Sequence, residues 1–147
     1  MIGLNKHIVA IALSSLLFSS CIGGDDDFNF QFTEISSILE AKVPDTMKVG
    51  GSYDIEINYQ KNTPCHNFSS FEATNEGDSI YFVRAVTIFT EAANCPFDPE
   101  EITIETTYTN RIESDFKFRF LKDLDEDGQF IYIDKEVVVD GEVSQEE

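Results

Sequence analysis

The chain contains no tryptophan, and its 10 lysine and arginine residues are outnumbered by 28 aspartate and glutamate residues. The formal net charge of −18 argues against a nucleic-acid-binding protein, because such proteins bind phosphate backbones through basic patches. The same charge disfavours contact between the folded domain and anionic lipid. The lack of tryptophan removes the Cys…Trp…Cys signature of antibody domains.

Histidine is also scarce, which limits the chemistry that the chain can perform. Only His7 and His66 occur, and His7 lies within the first 20 residues. After removal of that segment no second histidine remains for a serine triad, and no pair of carboxylates stands out as a glycosidase pair. We therefore expect a protein that is not an enzyme.

The first 20 residues have the organisation of a secretory signal. Lys6 and His7 give a positive start, residues 8–18 form an apolar run, and two small residues precede Cys21. The apolar run is too short for a membrane span, which needs about 20 residues. Residues 18–21, with the sequence Phe-Ser-Ser-Cys, resemble the lipobox of bacterial lipoproteins, so Cys21 is the predicted lipidation site. The alternative is an ordinary signal peptide with Cys21 as a disulfide partner.

The residues after Cys21 indicate which membrane face carries the protein. Gly23 and Gly24 form a spacer, and residues 25–27 are three aspartates. An acidic run close to the lipidated cysteine resembles the export signal of Bacteroidetes lipoproteins, which implies an outer-membrane anchor and exposure at the cell surface. The periplasmic face is the alternative, in which the aspartates form a solvated, extended tether.

These signals and the hydropathy pattern divide the chain into four segments. The part that follows the signal is long enough for one domain with a single core. The predicted segments are a signal peptide at 1–20, a lipidated cysteine and acidic tether at 21–34, a β-sandwich domain at 35–140 and an acidic tail at 141–147.

Cys65 and Cys95 are the remaining cysteines, and we expect them to form a disulfide. Export places them in an oxidising compartment, and a bridge that closes a loop of about 30 residues stabilises a fold by roughly 3–4 kcal/mol. The alternative is a metal site that includes the adjacent His66. Two thiolates and one imidazole at this spacing match no zinc pattern, which favours the disulfide.

Alternation of apolar and polar residues predicts an all-β fold. In residues 52–60, for example, Tyr53, Ile55, Ile57 and Tyr59 share one face. Further strands are expected at 35–43, 68–74, 79–89, 101–109, 115–121 and 130–139. The alternating phenylalanines of residues 28–32 are either a first strand or part of the tether. The last of these is expected to bulge near Asp134, and residues 45–51 to form a turn. About seven strands at these spacings predict a single Ig-like antiparallel β-sandwich.

One series of short motifs resembles a group of known proteins. The motifs are Pro44-Asp45, Gly50-Gly51, Tyr53-Asp54-Ile55, Cys65-His66-Asn67-Phe68, Asn94-Cys95 and a terminal Phe-x-Phe-x-Phe hairpin. Their order is similar to that in small lipoproteins of Flavobacteria and relatives, and it spans most of residues 35–139. The resemblance implies a fold and a location, and it implies no activity.

Asp123, Asp125 and Asp127 precede Gly128 with the spacing of the first half of a calcium loop. Carboxylates at alternate positions converge on a hard cation, and the glycine allows the tight turn. Position twelve of the loop is Asp134, where such loops carry glutamate, and the flanking segments are predicted strands instead of helices. The alternative is an acidic hairpin turn, because Asp-Gly is a strong hairpin signal. Calcium is thus the one candidate ion, and no other cofactor is expected.

Thr46 and Ser79 are candidate sites of O-glycosylation. Each lies between an aspartate and an apolar residue, in Asp45-Thr46-Met47 and Asp78-Ser79-Ile80. This arrangement resembles the O-glycosylation motif of exported Bacteroidetes proteins, and the resemblance implies a glycan at one or both sites.

The predicted function is that of a binding or accessory module of the cell envelope, held to the membrane by its lipid. Its partner is expected to be a glycan or an envelope protein, with no role for nucleic acid. Phe97 and Phe71 are aromatic residues on which a sugar ring can stack if they are exposed, and the alternative for each is a place in the core. The alternative is a structural or envelope-interaction protein that has no small-molecule ligand.

Overall fold

The computed structural model describes residues 30–77, 79–92 and 94–141. Within those ranges the chain forms nine strands and no helix, which confirms the all-β prediction. No helix in this part of the chain is long and apolar enough to cross a membrane. The strands are β1 (Gln31–Ser36), β2 (Ile38–Lys42), β3 (Thr46–Lys48), β4 (Ser52–Lys61), β5 (His66–Asn75), β6 (Ile80–Thr90), β7 (Glu100–Thr109), β8 (Phe116–Leu124) and β9 (Phe130–Asp140).

The strands form two sheets that pack face to face. The smaller sheet has the order β2-β4-β7, and all of its pairings are antiparallel. In the larger sheet, β6 is central: β5 covers one edge, while β1 and β8 share the other edge. The larger sheet then continues from β8 to β9 and ends at β3. Two pairings, β6 with β8 and β3 with β9, are parallel, which the expected antiparallel sandwich does not include.

The core lies between the sheets and is built from the predicted inward faces. Ile55, Ile57 and Tyr59 of β4 are buried, as their period-two spacing predicts. Every second residue of β8 faces them from the other sheet, and the rings of Phe116, Phe118 and Phe120 contact one another in sequence along the strand. Burying such aromatic side chains is the largest favourable contribution that this small domain can make.

The N-terminal part of the domain departs from the predicted boundaries. β1 begins at Gln31, so residues 31–34, which we assigned to the tether, belong to the larger sheet. Ser36 at the end of β1 is buried, and its hydroxyl lies 3.1 Å from that of Thr87 on β6. The predicted turn at 45–51 also contains β3, in which the buried Met47 fixes a short edge strand against β9. The acidic tail at 142–147 lies outside the described residues.

The predicted bulge occurs in the neighbouring strand. The register between β8 and β9 shifts between Leu121 and Asp123, so Lys122 is the extra residue, whereas β9 continues through Asp134 without a break. Because side chains alternate along a strand, an extra residue moves the next side chains to the opposite face. Leu124, paired with Phe130, therefore turns to the same outer face as Leu121.

Asn110 ties the end of β7 to the turn that precedes β4. Its side chain is fully buried, and its Nδ2 donates to the carbonyl oxygens of Lys48 and Ile112 while its Oδ1 accepts from the amide of Ile112. In the same turn, the hydroxyl of Tyr53 accepts a hydrogen bond from the Lys48 amide at 2.6 Å. Gly51 permits this contact, since a Cβ atom there would lie 2.7 Å from the Tyr53 hydroxyl.

Candidate functional site

The outer face of the larger sheet has a groove where one edge of β6 changes its neighbour. Residues 80–83 of β6 pair with β8, and residues 85–90 pair with β1. Beyond Phe120, β8 leaves β6 and makes room for the end of β1. The gap holds two adjoining cavities of about 260 and 190 Å³, which share Ile35, Leu121 and Phe130 as lining residues. We call this feature the outer-face groove.

Aromatic side chains from β6 and β9 form one wall of the outer-face groove. The ring centroids of Phe82 and Tyr132 are 5.3 Å apart at an angle of 70°, and Phe130 lies 6.2 Å beyond Tyr132. The guanidinium carbon of Arg119 lies 4.9 Å from the Tyr132 ring centroid and 5.7 Å from that of Phe82. Because Asp134 also binds the Arg119 Nε atom at 2.9 Å, the arginine holds these rings in place.

Phe130 is the aromatic residue of the outer-face groove that solvent reaches most freely. Its side chain is 60% exposed, and it is the first residue of β9, directly after the hairpin turn. The bulge at Lys122 places Leu124 opposite it, so two apolar side chains flank the same opening. An exposed ring next to a concave apolar surface is a feature of ligand and partner sites.

Polar groups surround these apolar walls. Asp123 and Lys122 line one end of the groove, and Arg84 and Glu76 line the other. Arg84 makes two hydrogen bonds to Glu72 Oε2, from Nε at 2.9 Å and from Nη2 at 2.7 Å, which fixes the direction of its guanidinium group. The groove thus combines flat aromatic faces with hydrogen-bond donors and acceptors at its ends. It can bind a ligand that has an apolar face and polar groups at its edge.

The sequence did not identify this site. It proposed Phe97 and Phe71 as aromatic residues for stacking, but Phe71 is packed against the core. Phe97 is 74% exposed on the loop before β7 and lines none of the cavities at the outer-face groove. The sequence of β6 does contain an indication of this site. One face of the strand supplies core residues such as Val83, yet the other face also carries a large apolar residue, Phe82.

The predicted disulfide is present, with Cys65 and Cys95 joined and their Cα atoms 5.9 Å apart. It connects the residue before β5 to the loop that follows β6. The alternative metal site with His66 is thereby excluded, since both thiols are used in the bridge. Two backbone hydrogen bonds close the same region, from Thr90 to the Cys65 carbonyl and from Asp98 to the Asn62 carbonyl.

His66 lies beside the disulfide and is held from both sides. Its side chain is 5% exposed; Nδ1 lies 2.8 Å from Thr63 Oγ1, and Nε2 lies 2.8 Å from Glu34 Oε2. The Thr63 hydroxyl also accepts a hydrogen bond from the Cys65 amide at 3.2 Å, which holds it within its own turn. The three side chains therefore connect the loop before β5 to β1, and their contacts account for the burial of the imidazole.

The segment of the predicted calcium loop forms an acidic hairpin turn, the alternative that its Asp-Gly sequence predicts. Asp123 lies in β8, and Asp125 Oδ1 accepts hydrogen bonds from the amides of Asp127 and Gln129 at 3.0 and 2.7 Å. Gly128 has the positive φ of 76° that the turn requires. Among the residues that the structure describes, no three histidine, cysteine, aspartate or glutamate side chains converge as metal ligands. The turn directs the Asp125 carboxylate to its own backbone, and calcium binding by Asp123, Asp125 and Asp127 stays a prediction.

The two candidate glycosylation sites are exposed. Thr46 begins β3, and Ser79 directly precedes β6, where its carbonyl accepts a hydrogen bond from the Lys117 amide at 2.8 Å. Neither position would hinder an attached glycan by burial, and the attachment itself stays a prediction. The predicted lipidation site, Cys21, lies outside the described residues.

No protein-family model, no curated protein and no solved structure matches this chain. The likeness to lipoproteins of Flavobacteria therefore stays a prediction, as does the Ig-like description of the sandwich.

Proposed function

We propose that this protein is a lipid-anchored module of the bacterial cell envelope that binds a glycan in the outer-face groove. The observation that carries the proposal is the exposed Phe130 ring beside Tyr132, with polar side chains at both ends of the same opening. A sugar ring has an apolar face and a rim of hydroxyl groups. Aromatic side chains pack against the first, and fixed polar groups bind the second.

The charge of the domain favours a neutral glycan over an anionic one. The chain carries 28 acidic residues against 10 basic ones, and two of the three cations at or near the groove, Arg84 and Arg119, are already paired with carboxylates. The third, Lys122, lines the groove together with Asp123. An anionic polysaccharide would therefore meet a repulsive field on approach. Hydroxyl groups of a neutral sugar can hydrogen-bond to these same paired side chains without that cost.

The N-terminal sequence supports the proposed anchor. The positive start, the apolar run of 8–18 and the Phe-Ser-Ser-Cys sequence that ends at Cys21 are the features that a lipoprotein signal requires. The disulfide fits an exported protein, because such bonds persist in oxidising compartments. The aspartates at 25–27 favour the outer surface, with the periplasmic face as the alternative.

The anchor makes a direct prediction about Cys21. In a bacterial host grown with radiolabelled palmitate, the wild-type chain should carry label, whereas a Cys21→Ser variant should carry none and should keep the mass of its uncleaved signal. Acylation of the cysteine precedes cleavage of such a signal, so both changes follow from the loss of one thiol. Equal labelling of the two proteins would contradict the anchor, and a Ser20→Ala variant is the matched control.

An array of neutral and anionic glycans tests the proposed ligand. The Cys21→Ser chain, in which the proposed acylation cannot occur, should be retained by a defined neutral glycan and not by the anionic ones. No retention by any glycan, together with a stoichiometric complex with a purified envelope protein, would instead support the alternative of an envelope-interaction protein. The exposed Phe97 on the loop before β7 is the feature that favours this second function.

A further inference from the structure

A separate cavity opens between the two sheets, on the side opposite β9. Among the described strands β5 pairs only with β6, and β7 pairs only with β4, so each presents an edge that no described strand covers. The sheets do not close over one another between these edges, and the gap has a volume of about 540 Å³. This volume lies in the range of pockets that hold small molecules, about 300–1,000 Å³. We call this cavity the inter-sheet cleft.

The inner walls of the inter-sheet cleft are apolar. They include Ile57 from the smaller sheet and Phe71, Val83 and Phe118 from the larger one. The Tyr108 ring lies 5.4 Å from that of Phe118, and burial raises the pKa of the Tyr108 hydroxyl, followed by a smaller effect of the nearby Tyr81. The phenol therefore stays neutral, and these walls are suited to an alkyl chain or another apolar group.

A single cation stands among the residues that line the inter-sheet cleft. It is Arg111, whose side chain is exposed just beyond β7. Within the described residues, Arg84 and Arg119 each lie within hydrogen-bonding distance of a carboxylate, but Arg111 takes part in no ion pair. In a chain with a net charge of −18, an arginine that pairs with no acidic side chain of the described residues, beside an apolar cavity, is available for an anionic group from outside.

We infer that the inter-sheet cleft binds an amphiphile with an anionic head group, with its alkyl chain between the sheets and its head group on Arg111. The chemistry is shared by a free fatty acid and by an anionic phospholipid drawn from a membrane. This site is separate from the outer-face groove, so its test and that of glycan binding are independent.

Isothermal titration of the full-length Cys21→Ser chain with decanoate tests this inference, with 1-decanol as the uncharged ligand of the same chain length. We expect one decanoate to bind per chain. Since a hydrogen bond to a charged group contributes roughly 1.5–3 kcal/mol, Arg111→Gln should weaken decanoate binding about 10- to 100-fold and leave 1-decanol binding unchanged. Lys61→Gln, which removes one positive charge away from the cleft, is the matched control and should bind both ligands as the wild type does.

A second variant tests the position of the alkyl chain. Ala73 lines the inter-sheet cleft on β5, and Ala73→Trp should fill it and abolish binding of both ligands while the thermal transition stays cooperative. Vesicles of phosphatidylglycerol distinguish the sources: binding that decanoate displaces identifies a membrane lipid, and decanoate binding without vesicle binding identifies a free fatty acid.

Three results would overturn the inference. One is the absence of decanoate binding by the wild-type chain, and a second is equal weakening of both ligands by Arg111→Gln. The third is a dimer in sedimentation experiments that forms through the free edges of β5 and β7 and binds no decanoate, because the cleft would then be an interface between two copies of this chain.

Discussion

Replacing Cys65 and Cys95 together by alanine should lower the free energy of unfolding by about 3–4 kcal/mol. The two cysteines are separated by 30 residues in sequence, and their bridge limits the number of conformations that the unfolded chain can adopt. For a domain of this size the expected fall in melting temperature is roughly 10–20 °C. Differential scanning calorimetry of the wild-type chain and the double variant measures it.

A reducing agent provides the control for this prediction. It should lower the melting temperature of the wild-type chain to that of the double variant and leave the double variant unchanged. If the double variant melts at the wild-type temperature under oxidising conditions, the bridge contributes nothing to the fold, and the hydrogen bonds of Thr90 and Asp98 suffice to hold the loop.

Phe120→Ala should destabilise the protein by about 3–5 kcal/mol, the largest effect that we expect from a single substitution. The side chain is only 1% exposed, and its ring lies 5.8 Å from that of Phe118. Among the strands that the structure describes, β8 alone connects β6 to β9, so a cavity at this position weakens both pairings. Denaturation by urea, followed by circular dichroism, gives the change in the free energy of unfolding.

Phe130→Ala is the matched control, because it removes the same atoms at an exposed position of the next strand. Its cost should be below about 1 kcal/mol, since solvent already reaches most of the Phe130 ring. Equal destabilisation by both variants would mean that β8 does not form the centre of the core. A stable Phe130→Ala variant is also required for any binding experiment at the outer-face groove.

The sequence was informative wherever one face of a strand is buried and the other is not. The alternation in β4 and β8 predicted the buried positions, since a residue on the wrong face would expose a large apolar side chain. The disulfide was equally predictable from the sequence, because an exported chain with two remaining cysteines leaves few other roles for them.

Pairing between distant strands was not predictable in the same way. β3 consists of Thr46, Met47 and Lys48, and it becomes a strand only because β9 lies beside it. The parallel contact of β6 with β8 also depends on tertiary packing that no local pattern encodes. A similar limit applies to candidate sites. The Asp125 carboxylate accepts hydrogen bonds from the backbone of its own turn, and the spacing of the aspartates alone cannot distinguish this role from that of a metal ligand.

The outer-face groove was missed for the same reason. Phe82 and Tyr132 are far apart in sequence and meet only because β8 brings β6 and β9 together. The extra residue Lys122 then turns Leu124 to the same face, and such a shift in register is invisible to a strict period of two. The sequence identifies the apolar residues of the groove, but not which of them share a surface.

Retention of the Phe130→Ala variant on a glycan array tests the proposed site most directly. Covering an exposed Phe side chain with the apolar face of a sugar contributes up to about 1.5–3 kcal/mol, so this variant should bind the retained neutral glycan roughly tenfold more weakly or worse than the wild type. Phe97→Ala removes a still more exposed ring outside the groove and should bind as the wild type does. Equal retention of all three proteins would contradict a glycan site in the outer-face groove.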